Sequence, residues 1–347
     1  MFQVTSLAIT GLVVATALRH PGVWSRPRSS LSADSALLGS EDREQAVQTS
    51  SAAERIFREA ASAEAGQADD GLSGLRARGR DLLGGLRWPS GRDEAWRFTN
   101  MRTLFEPEYR LTERKGELSP ADLEPFVEPA CVNSLLVIVD GEFREDLSRP
   151  PASLSVTSAR ALGDEAVALT PELEALPDAG EKPRDSFGSD SLVALGMAAA
   201  SDVLTVEVPP GLRAPPLQLI VCSTRSGDPT ACHPRVAVVA GQGSSLQLKQ
   251  SVLSWGDQPA LLNSFTRVVL REGAEVTHSY AQETGAEVRA LEVLAVDVAE
   301  DANYKLTALQ VGGRLGRINA HVNLNAPNAN CTVRPRSRSR PLDPCSR

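Results

Sequence analysis

The chain has 347 residues, of which 41% are hydrophobic and only 4% aromatic, with 26 glycines and 23 prolines. This composition supports a globular core built from short strands and turns, and it argues against a large helical bundle. The formal net charge of −8 at pH 7 argues against general nucleic-acid binding, because an acidic surface repels phosphates.

Residues 1–50 have the composition of a bipartite targeting presequence. Residues 1–33 contain no Asp or Glu, and an apolar stretch at residues 7–18 is followed by a segment rich in Arg and Ser. The apolar stretch is too short to span a bilayer comfortably, so it predicts a signal peptide, and the next segment predicts a transit peptide. We therefore expect import into the stroma of a plastid without stable membrane association. Plain secretion is the alternative.

Residues 51–130 are predicted to form a small helical N-terminal domain. Leucines recur at three-to-four spacing between Leu72 and Leu86, which is the period of an amphipathic helix. Residues 89–105 predict a turn that leads into a second amphipathic helix, with Trp96 and Leu104 on its apolar side. Residues 131–185 are predicted to be a connecting region, because much of this stretch is rich in Pro, Glu, Asp and Ala.

From residue 186 onward the sequence changes to short alternating runs that are typical of strands. A unit of strand, polar turn, small residue and strand returns four times. Its small residues are Ser244, Ala274, Ala302 and Ala329, so the successive offsets are 30, 28 and 27 residues. A two-strand unit cannot bury an apolar face alone, so the repeat predicts a mainly β fold with a β-helix core over residues 186–333. A β-sandwich is the alternative.

No motif in the sequence specifies an enzyme, and no catalytic residue is predicted. The five cysteines form no CxxC pair, and only Cys232 lies beside a histidine, so the sequence identifies no metal ligand. A phosphate-binding P-loop is absent because no Gly-Lys-Ser or Gly-Lys-Thr occurs, and no cofactor-binding residue can be named. The remaining candidates are three histidines far apart in the sequence, for which structural roles are favoured: His233, His278 and His321.

Two separated segments carry a family signature. The first reads R-x-E-x-W-R-F-T, and its signature residues are Arg92, Glu94, Trp96 and Arg97. The second reads GGRLGRINAHV, and its signature residues are Gly312, Gly313, Arg314, Arg317 and His321. Together with HSYAQE at residues 278–283, these segments resemble the SufB/SufD family of iron–sulfur cluster assembly proteins, closest to the SufD type, and the resemblance covers roughly residues 80–333. We expect structural or interface roles for these residues.

The resemblance implies a right-handed β-helix that serves as a non-enzymatic scaffold, pairs with SufB and binds the ATPase SufC. It also implies that the complex assembles an iron–sulfur cluster transiently, with no cofactor bound stably by this chain. The family's C-terminal helical domain, which carries the SufC contact, has no counterpart after residue 333. Residues 334–347 form a basic tail outside the resemblance, so we expect a C-terminally truncated family member. A secreted β-helix carbohydrate-active enzyme is the alternative.

Overall fold

The computed structural model describes residues 7–9, 12–18, 71–86, 88–89, 91, 93–100, 103–104, 106–111, 117–162, 189–224, 228–256 and 258–338, and for residues 7–9, 12–18 and 337–338 it describes the backbone alone. Most of the predicted presequence and the helical pattern at residues 51–70 lie outside these residues, as does the end of the basic tail from residue 339 onward.

Two facing sheets contain nearly all the strands. The first sheet runs in the order β1 (Leu7–Ile9), β2 (Leu12–Leu18), β16 (Leu315–Leu324), β14 (Val288–Val298), β12 (Ala260–Leu270), β10 (Arg235–Ala240), β7 (Leu204–Val208) and β6 (Ser155–Ser158), and β9 (Thr230–Cys232) joins β12 to β3 (Arg110–Leu111). The second sheet runs in the order β17 (Asn330–Arg338), β15 (Asn303–Gly312), β13 (Glu275–Thr284), β11 (Ser245–Ser254), β8 (Leu217–Ser223), β4 (Leu135–Val139) and β5 (Glu142–Phe143).

The chain alternates between the two sheets from β10 to β17. Each strand pairs in parallel with the strand two positions further along the chain, so every coil contributes one strand to each sheet. This connectivity is that of a β-solenoid of about five coils, and the predicted mainly β solenoid core is confirmed. A sandwich of antiparallel sheets would not give parallel neighbours throughout.

The register of the second sheet follows the sequence repeat. Ser245 pairs with Glu275, which pairs with Asn303, which pairs with Asn330, so the offsets are 30, 28 and 27 residues. In the first sheet the offsets fall from 32 between β7 and β10 to 30, 28 and 26 in the next three pairs. The small residues Ser244, Ala274 and Ala302 are buried where successive coils stack at one corner. Ala274 and Ala302 belong to the core cluster between the sheets, so a bulky side chain at either position would crowd the core.

Apolar side chains fill the space between the sheets, and helices cover the outer face of the first sheet. The covering helix α4 (Asp190–Ala198) is buried along its whole length, and α1 (Ser73–Gly85) packs on top of it. Gly79 lies at this helix crossing, where a Cβ atom would come within 2.4 Å of the Ala198 nitrogen. The other two α-helices within the described residues are short: α2 (Pro120–Leu123), beside the β4 end of the second sheet, and α3 (Ala159–Leu162), after β6.

Two stretches differ from the elements that the sequence predicted. In residues 89–105 the described part forms a 3-10 turn at Glu94–Trp96 and is helical at Thr103 and Leu104, and Trp96 packs into a cluster on the first sheet. Tertiary packing of one large aromatic side chain outweighs the weak helical preference of the segment. Strand β4 lies inside the predicted connecting region, yet it pairs in parallel with β8 and belongs to the second sheet.

The N-terminal end of the described chain adds strands that the sequence did not predict, and at the C-terminal end a predicted strand is longer than expected. Strand β2 is a mostly apolar segment assigned to the presequence, and it pairs in parallel with β16 over residues 12–18. Strand β17 continues to Arg338, past the predicted boundary at residue 333, and pairs with β15 along its length. Backbone pairing at a sheet edge needs no particular side chain, so neither extension has a strong sequence signal.

Candidate functional site

The two separated signature segments meet on the outer face of the first sheet. We name residues 94–99 the WRFT turn and residues 312–317 the glycine corner. The Arg317 guanidinium lies 3.7 Å from the centroid of the Trp96 ring. Its Nη1 donates to the Thr99 Oγ1 at 2.7 Å and its Nη2 to the Ala95 carbonyl at 2.8 Å. Nε donates to Asn319 Oδ1 at 2.7 Å, so all three nitrogens are engaged.

Arg317 holds the WRFT turn as a buried cation. Desolvation lowers its pKa to about 9, which still leaves the guanidinium charged at neutral pH. A desolvated cation over the face of a tryptophan gains more than an exposed one, because water no longer competes for the charge. A second arginine, Arg289 on β14, donates from Nε to the Thr103 carbonyl at 3.0 Å, so the segment is attached to two successive coils.

The Trp96 side of the WRFT turn lies in an apolar cluster. Trp96 is completely buried, and it packs with residues from the N-terminal segment, α4 and three strands of the first sheet: Leu104, Tyr109, Leu192, Leu195, Ala231, Leu261 and Leu291. Because this cluster joins the N-terminal segment to α4 and to the sheet, the WRFT turn is an integral part of the solenoid surface.

The other signature residues have different surroundings. Glu94, Arg97 and Arg314 are exposed, and Arg92 lies outside the described residues. His321 is buried on the outer face of the first sheet, where its Nε2 lies 3.0 Å from the Ser189 hydroxyl at the start of α4. The structure therefore brings Trp96 together with the second signature segment through the buried Arg317 and leaves Glu94, Arg97 and Arg314 at the surface.

The glycines of the glycine corner are required by space and by backbone conformation. Gly312 and Gly313 have φ values of +75° and +77°, which L side chains rarely adopt. A Cβ atom on Gly312 would lie 2.2 Å from the Thr284 carbonyl oxygen of the preceding coil. Gly316 faces two buried amides, and Gln310 donates to Gln282 there at 2.9 Å. These positions have a structural role in turning the chain between β15 and β16.

A hydrogen-bonded chain of polar side chains lies inside the solenoid, and sequence reasoning missed it. The Tyr304 hydroxyl lies 2.8 Å from His278 Nδ1, and His278 Nε2 lies 3.1 Å from Gln250 Oε1. Gln250 Nε2 donates to Glu292 Oε2 at 3.1 Å and to Thr266 Oγ1 at 3.2 Å. All five side chains are buried, so the chain links both sheets through the core without contact with solvent.

Burial fixes the protonation of this chain. Desolvation raises the pKa of Glu292 to about 8 and lowers the pKa of His278 to about 3. The imidazole is therefore neutral at pH 7 and has one donor and one acceptor. Tyr304 donates to Nδ1 of His278, and Nε2–H of His278 donates to the side-chain carbonyl oxygen of Gln250. Because Gln250 in turn donates to Glu292, each side chain from Tyr304 to Gln250 donates to the next one.

A third buried histidine, His233, contacts Asn263 on the outer face of the first sheet. Asn263 Nδ2 donates to the Leu192 carbonyl of α4 at 2.8 Å and lies 3.1 Å from His233 Nδ1. Desolvation, with Arg235 nearby, lowers the pKa of His233 to about 3, so its Nδ1 accepts as a neutral ring. His233, His278 and His321 are all buried, and each makes a hydrogen-bonding contact with a neighbouring side chain.

These buried groups predict an unusual pH dependence of stability. The Glu292 pKa is about 8 in the folded chain and 4.5 without burial, so the native state holds an extra proton between these values and stability falls as pH rises. His278 and His233 act in the opposite direction, because their pKa rises from about 3 to 6.5 on unfolding. Between pH 6.5 and 8 the loss from Glu292 exceeds the remaining gain from the two histidines, which are still half protonated in the unfolded chain at pH 6.5, so we expect a net fall of about 1 kcal/mol.

Glu292→Gln tests this expectation. The amide keeps an acceptor for Gln250 and cannot ionise, so the fall in the free energy of unfolding between pH 6.5 and 8 should disappear in urea titrations. Glu275→Gln removes an exposed carboxylate from a neighbouring strand and should keep the fall. An unchanged pH profile in Glu292→Gln would show that this carboxyl group is not the one that titrates.

The described residues show no cluster for direct metal chemistry. No group of three or more His, Cys, Asp or Glu side chains within them could hold a metal ion. None of the helices in the described ranges is both long and apolar enough to cross a membrane. The polar side chains from Tyr304 to Glu292 are hydrogen-bonded to one another inside the core, and this arrangement supports a rigid framework.

Comparisons with known proteins identify a family model that matches part of the solenoid and two relatives that align with most of the chain. Residues 221–337 match the family described as SUF system FeS cluster assembly, SufBD core domain. The chain is 26% identical over 263 residues to the iron–sulfur cluster assembly SufBD family protein slr0076 of Synechocystis sp., an alignment covering 73% of this chain and 57% of the relative. It is also 26% identical over 272 residues to Protein ABCI7, chloroplastic, of Arabidopsis thaliana, covering 74% and 54%. The chain therefore spans little more than half the length of these curated relatives.

Proposed function

We propose that this chain, a member of the SufBD family by its core domain, is a scaffold subunit of the SUF iron–sulfur cluster assembly system. One observation carries the proposal. The core-domain match at residues 221–337 covers the coils to which Arg317 attaches the WRFT turn and Arg289 attaches Thr103, so the two signature segments form one structural unit. A framework of enclosed, mutually hydrogen-bonded polar groups suits a subunit that positions other proteins.

The finer assignment follows the SufD type. The chain then pairs with SufB, and the pair binds the ATPase SufC, whose ATP cycle supplies the conformational work. The iron–sulfur cluster is the cargo of the assembly, built transiently by the complex, and this chain holds no resident cofactor and performs no catalytic step. The acidic net charge fits protein partners and disfavours nucleic acid.

Affinity purification from the organism's own cells tests the function. We expect the tagged native chain to recover SufB and SufC and, when it is depleted, expect plastid iron–sulfur proteins to lose their clusters. Recovery of neither partner together with unchanged cluster content would contradict the scaffold. Cleavage of a pectin-like polymer by the purified chain would favour the carbohydrate-active enzyme instead.

A plastid location is part of the proposal. One relative is described as chloroplastic, and residues 1–33 combine an apolar stretch with an Arg- and Ser-rich segment free of acids. Residues 1–45 fused to a fluorescent reporter should therefore bring it to the plastid of an alga with a complex plastid. Changing Arg26 and Arg28 to Glu in the same fusion should stop the reporter before the stroma. Secretion of the unchanged fusion would contradict the proposed location.

A further inference from the structure

The edge of strand β16 has a sequence that favours pairing with another strand. On one side β16 pairs with β14 from Leu315 to Leu324, and its other side is the last edge of the solenoid coils in the first sheet. Residues 318–324 read INAHVNL and contain no proline, Lys, Arg, Asp or Glu. Charged side chains and prolines are the usual features that keep sheet edges from pairing, so the sequence of β16 does not protect this edge.

The edge of the second sheet at the same end of the solenoid is protected by its own residues. Strand β17 is terminal in that sheet and pairs with β15 on one side. Pro335 in its middle has no amide hydrogen to donate, and Arg334 and Arg336 on either side are exposed. Prolines and cations on an edge strand oppose the addition of a further strand. Of the two edges at this end, it is therefore the β16 edge that needs a cover.

Strand β2 covers the β16 edge. It pairs in parallel with seven consecutive residues of β16, from Leu12 opposite Ile318 to Leu18 opposite Leu324. Its sequence, LVVATAL, is uncharged and contains three β-branched residues, which suits a strand with a neighbour on each side. Strand β1 pairs with β2 in antiparallel fashion over only three residues, so the outermost edge of the first sheet is short. Short edge strands are poor templates for further pairing.

Strand β2 takes the position that the next coil of the solenoid would occupy. The pairs from β10 to β16 in the first sheet are all parallel, and β2 continues this series with the same polarity. More than three hundred residues separate Leu12 from Ile318, so the pairing is not a consequence of chain connectivity, as it is in a hairpin. The match between the two strands lies in direction and register.

We propose that the β16 edge is a strand-addition site and that residues 12–18 are its intramolecular occupant. The site takes an extended, uncharged segment in parallel, which is held by backbone hydrogen bonds. The same residues belong to the apolar stretch of the predicted presequence, so the full chain caps its own sheet, and removal of the presequence would open the edge. The inference concerns the full chain before processing and does not depend on the proposed scaffold function.

Hydrogen exchange of the full chain tests the cap, with the intact mass showing that residues 1–18 are present. Val14→Pro combined with Ala15→Pro removes two successive amides, and because successive amides of a strand point to opposite sides, one of them faces β16. We expect the amides of residues 318–324 that point away from β14 to exchange at least about tenfold faster than in the unchanged chain. The amides of β12 should keep their protection.

A peptide and a control variant test the site separately. A peptide of residues 10–20 added to the double variant should restore the protection of the β16 edge, because it supplies the same strand from outside. The same peptide with prolines at positions 14 and 15 should not. Gln3→Pro combined with Val4→Pro places two prolines upstream of β1 and should leave the exchange of β16 unchanged.

Each outcome decides for or against the cap. Unchanged protection of the β16 edge in a monomeric double variant would overturn it, and so would a peptide of residues 10–20 that restores no protection. Protection that persists only in a self-associated variant supports an open edge, because a second copy then supplies the added strand. If the double variant fails to fold, the amides of residues 12–18 in the unchanged chain decide: protection like that of β14 supports the cap, and immediate exchange overturns it.

Discussion

Arg317→Ala is expected to lower the free energy of unfolding by about 3–5 kcal/mol. The change removes three hydrogen bonds and the contact with Trp96 at once, and it leaves a cavity under the WRFT turn. The carbonyl of Ala95 and the amide oxygen of Asn319 lose their charged donor. Urea unfolding followed by circular dichroism measures the change, and proteolysis at the turn should become faster because its attachment is lost.

Two substitutions serve as controls for this effect. Arg314→Ala removes an exposed arginine from the same glycine corner and should change stability by no more than about 0.5 kcal/mol. Arg317→Lys keeps the charge but loses the planar fork, so an intermediate cost is expected. In a double-mutant cycle, Arg317→Ala combined with Trp96→Ala should lower stability by less than the sum of the losses from the two single changes. Additive effects of Arg317→Ala and Trp96→Ala would contradict the contact.

Gly312→Ala is expected to cost about 3–5 kcal/mol, because it combines a positive φ with a direct collision. The new Cβ would lie 2.2 Å from the Thr284 carbonyl oxygen, which belongs to a backbone that cannot move without displacing β13. The methyl group would therefore separate the strands of two successive coils. Thermal unfolding of the purified variant measures the loss.

Gly243→Ala is the matched control for the collision. Gly243 also has a positive φ, of +63°, but a Cβ atom there would meet nothing within 4 Å. Its substitution should cost only the conformational penalty of about 1 kcal/mol. Equal losses for the two variants would mean that backbone conformation alone, and not the contact with Thr284, limits the glycine corner.

The register of the second sheet was predictable because a local requirement repeats. Every coil needs a small residue where it stacks on the previous corner, so the spacing from Ser244 to Ala274 and Ala302 gave the strand offsets directly. The meeting of Trp96 and Arg317 was not predictable in the same way. More than two hundred residues separate them, and no local pattern of either segment encodes which face of the solenoid the other will reach.

The sequence of β13 contains a signal that His278 of the buried polar chain faces the core. On β13 the alternation places His278, Tyr280 and Gln282 on the same face as Val276, which lies in the core. Strand periodicity therefore points His278 inward once one apolar neighbour is assigned. Its partners could not be identified, because Gln250 and Glu292 come from other strands and meet only through the coil register.

The residue offset between paired strands of the first sheet decreases along the chain, so successive coils contain different numbers of residues. Because the offset falls from 32 to 30, 28 and 26 residues, no two successive coils have the same chain length. Arrays of equal units are prone to misassembly, in which one unit takes the place of its neighbour. In this solenoid an exchanged coil would be two or more residues too long or too short for its position and would have to bulge or stretch. The number of residues in each coil therefore helps to specify the order of the coils, in addition to side-chain packing.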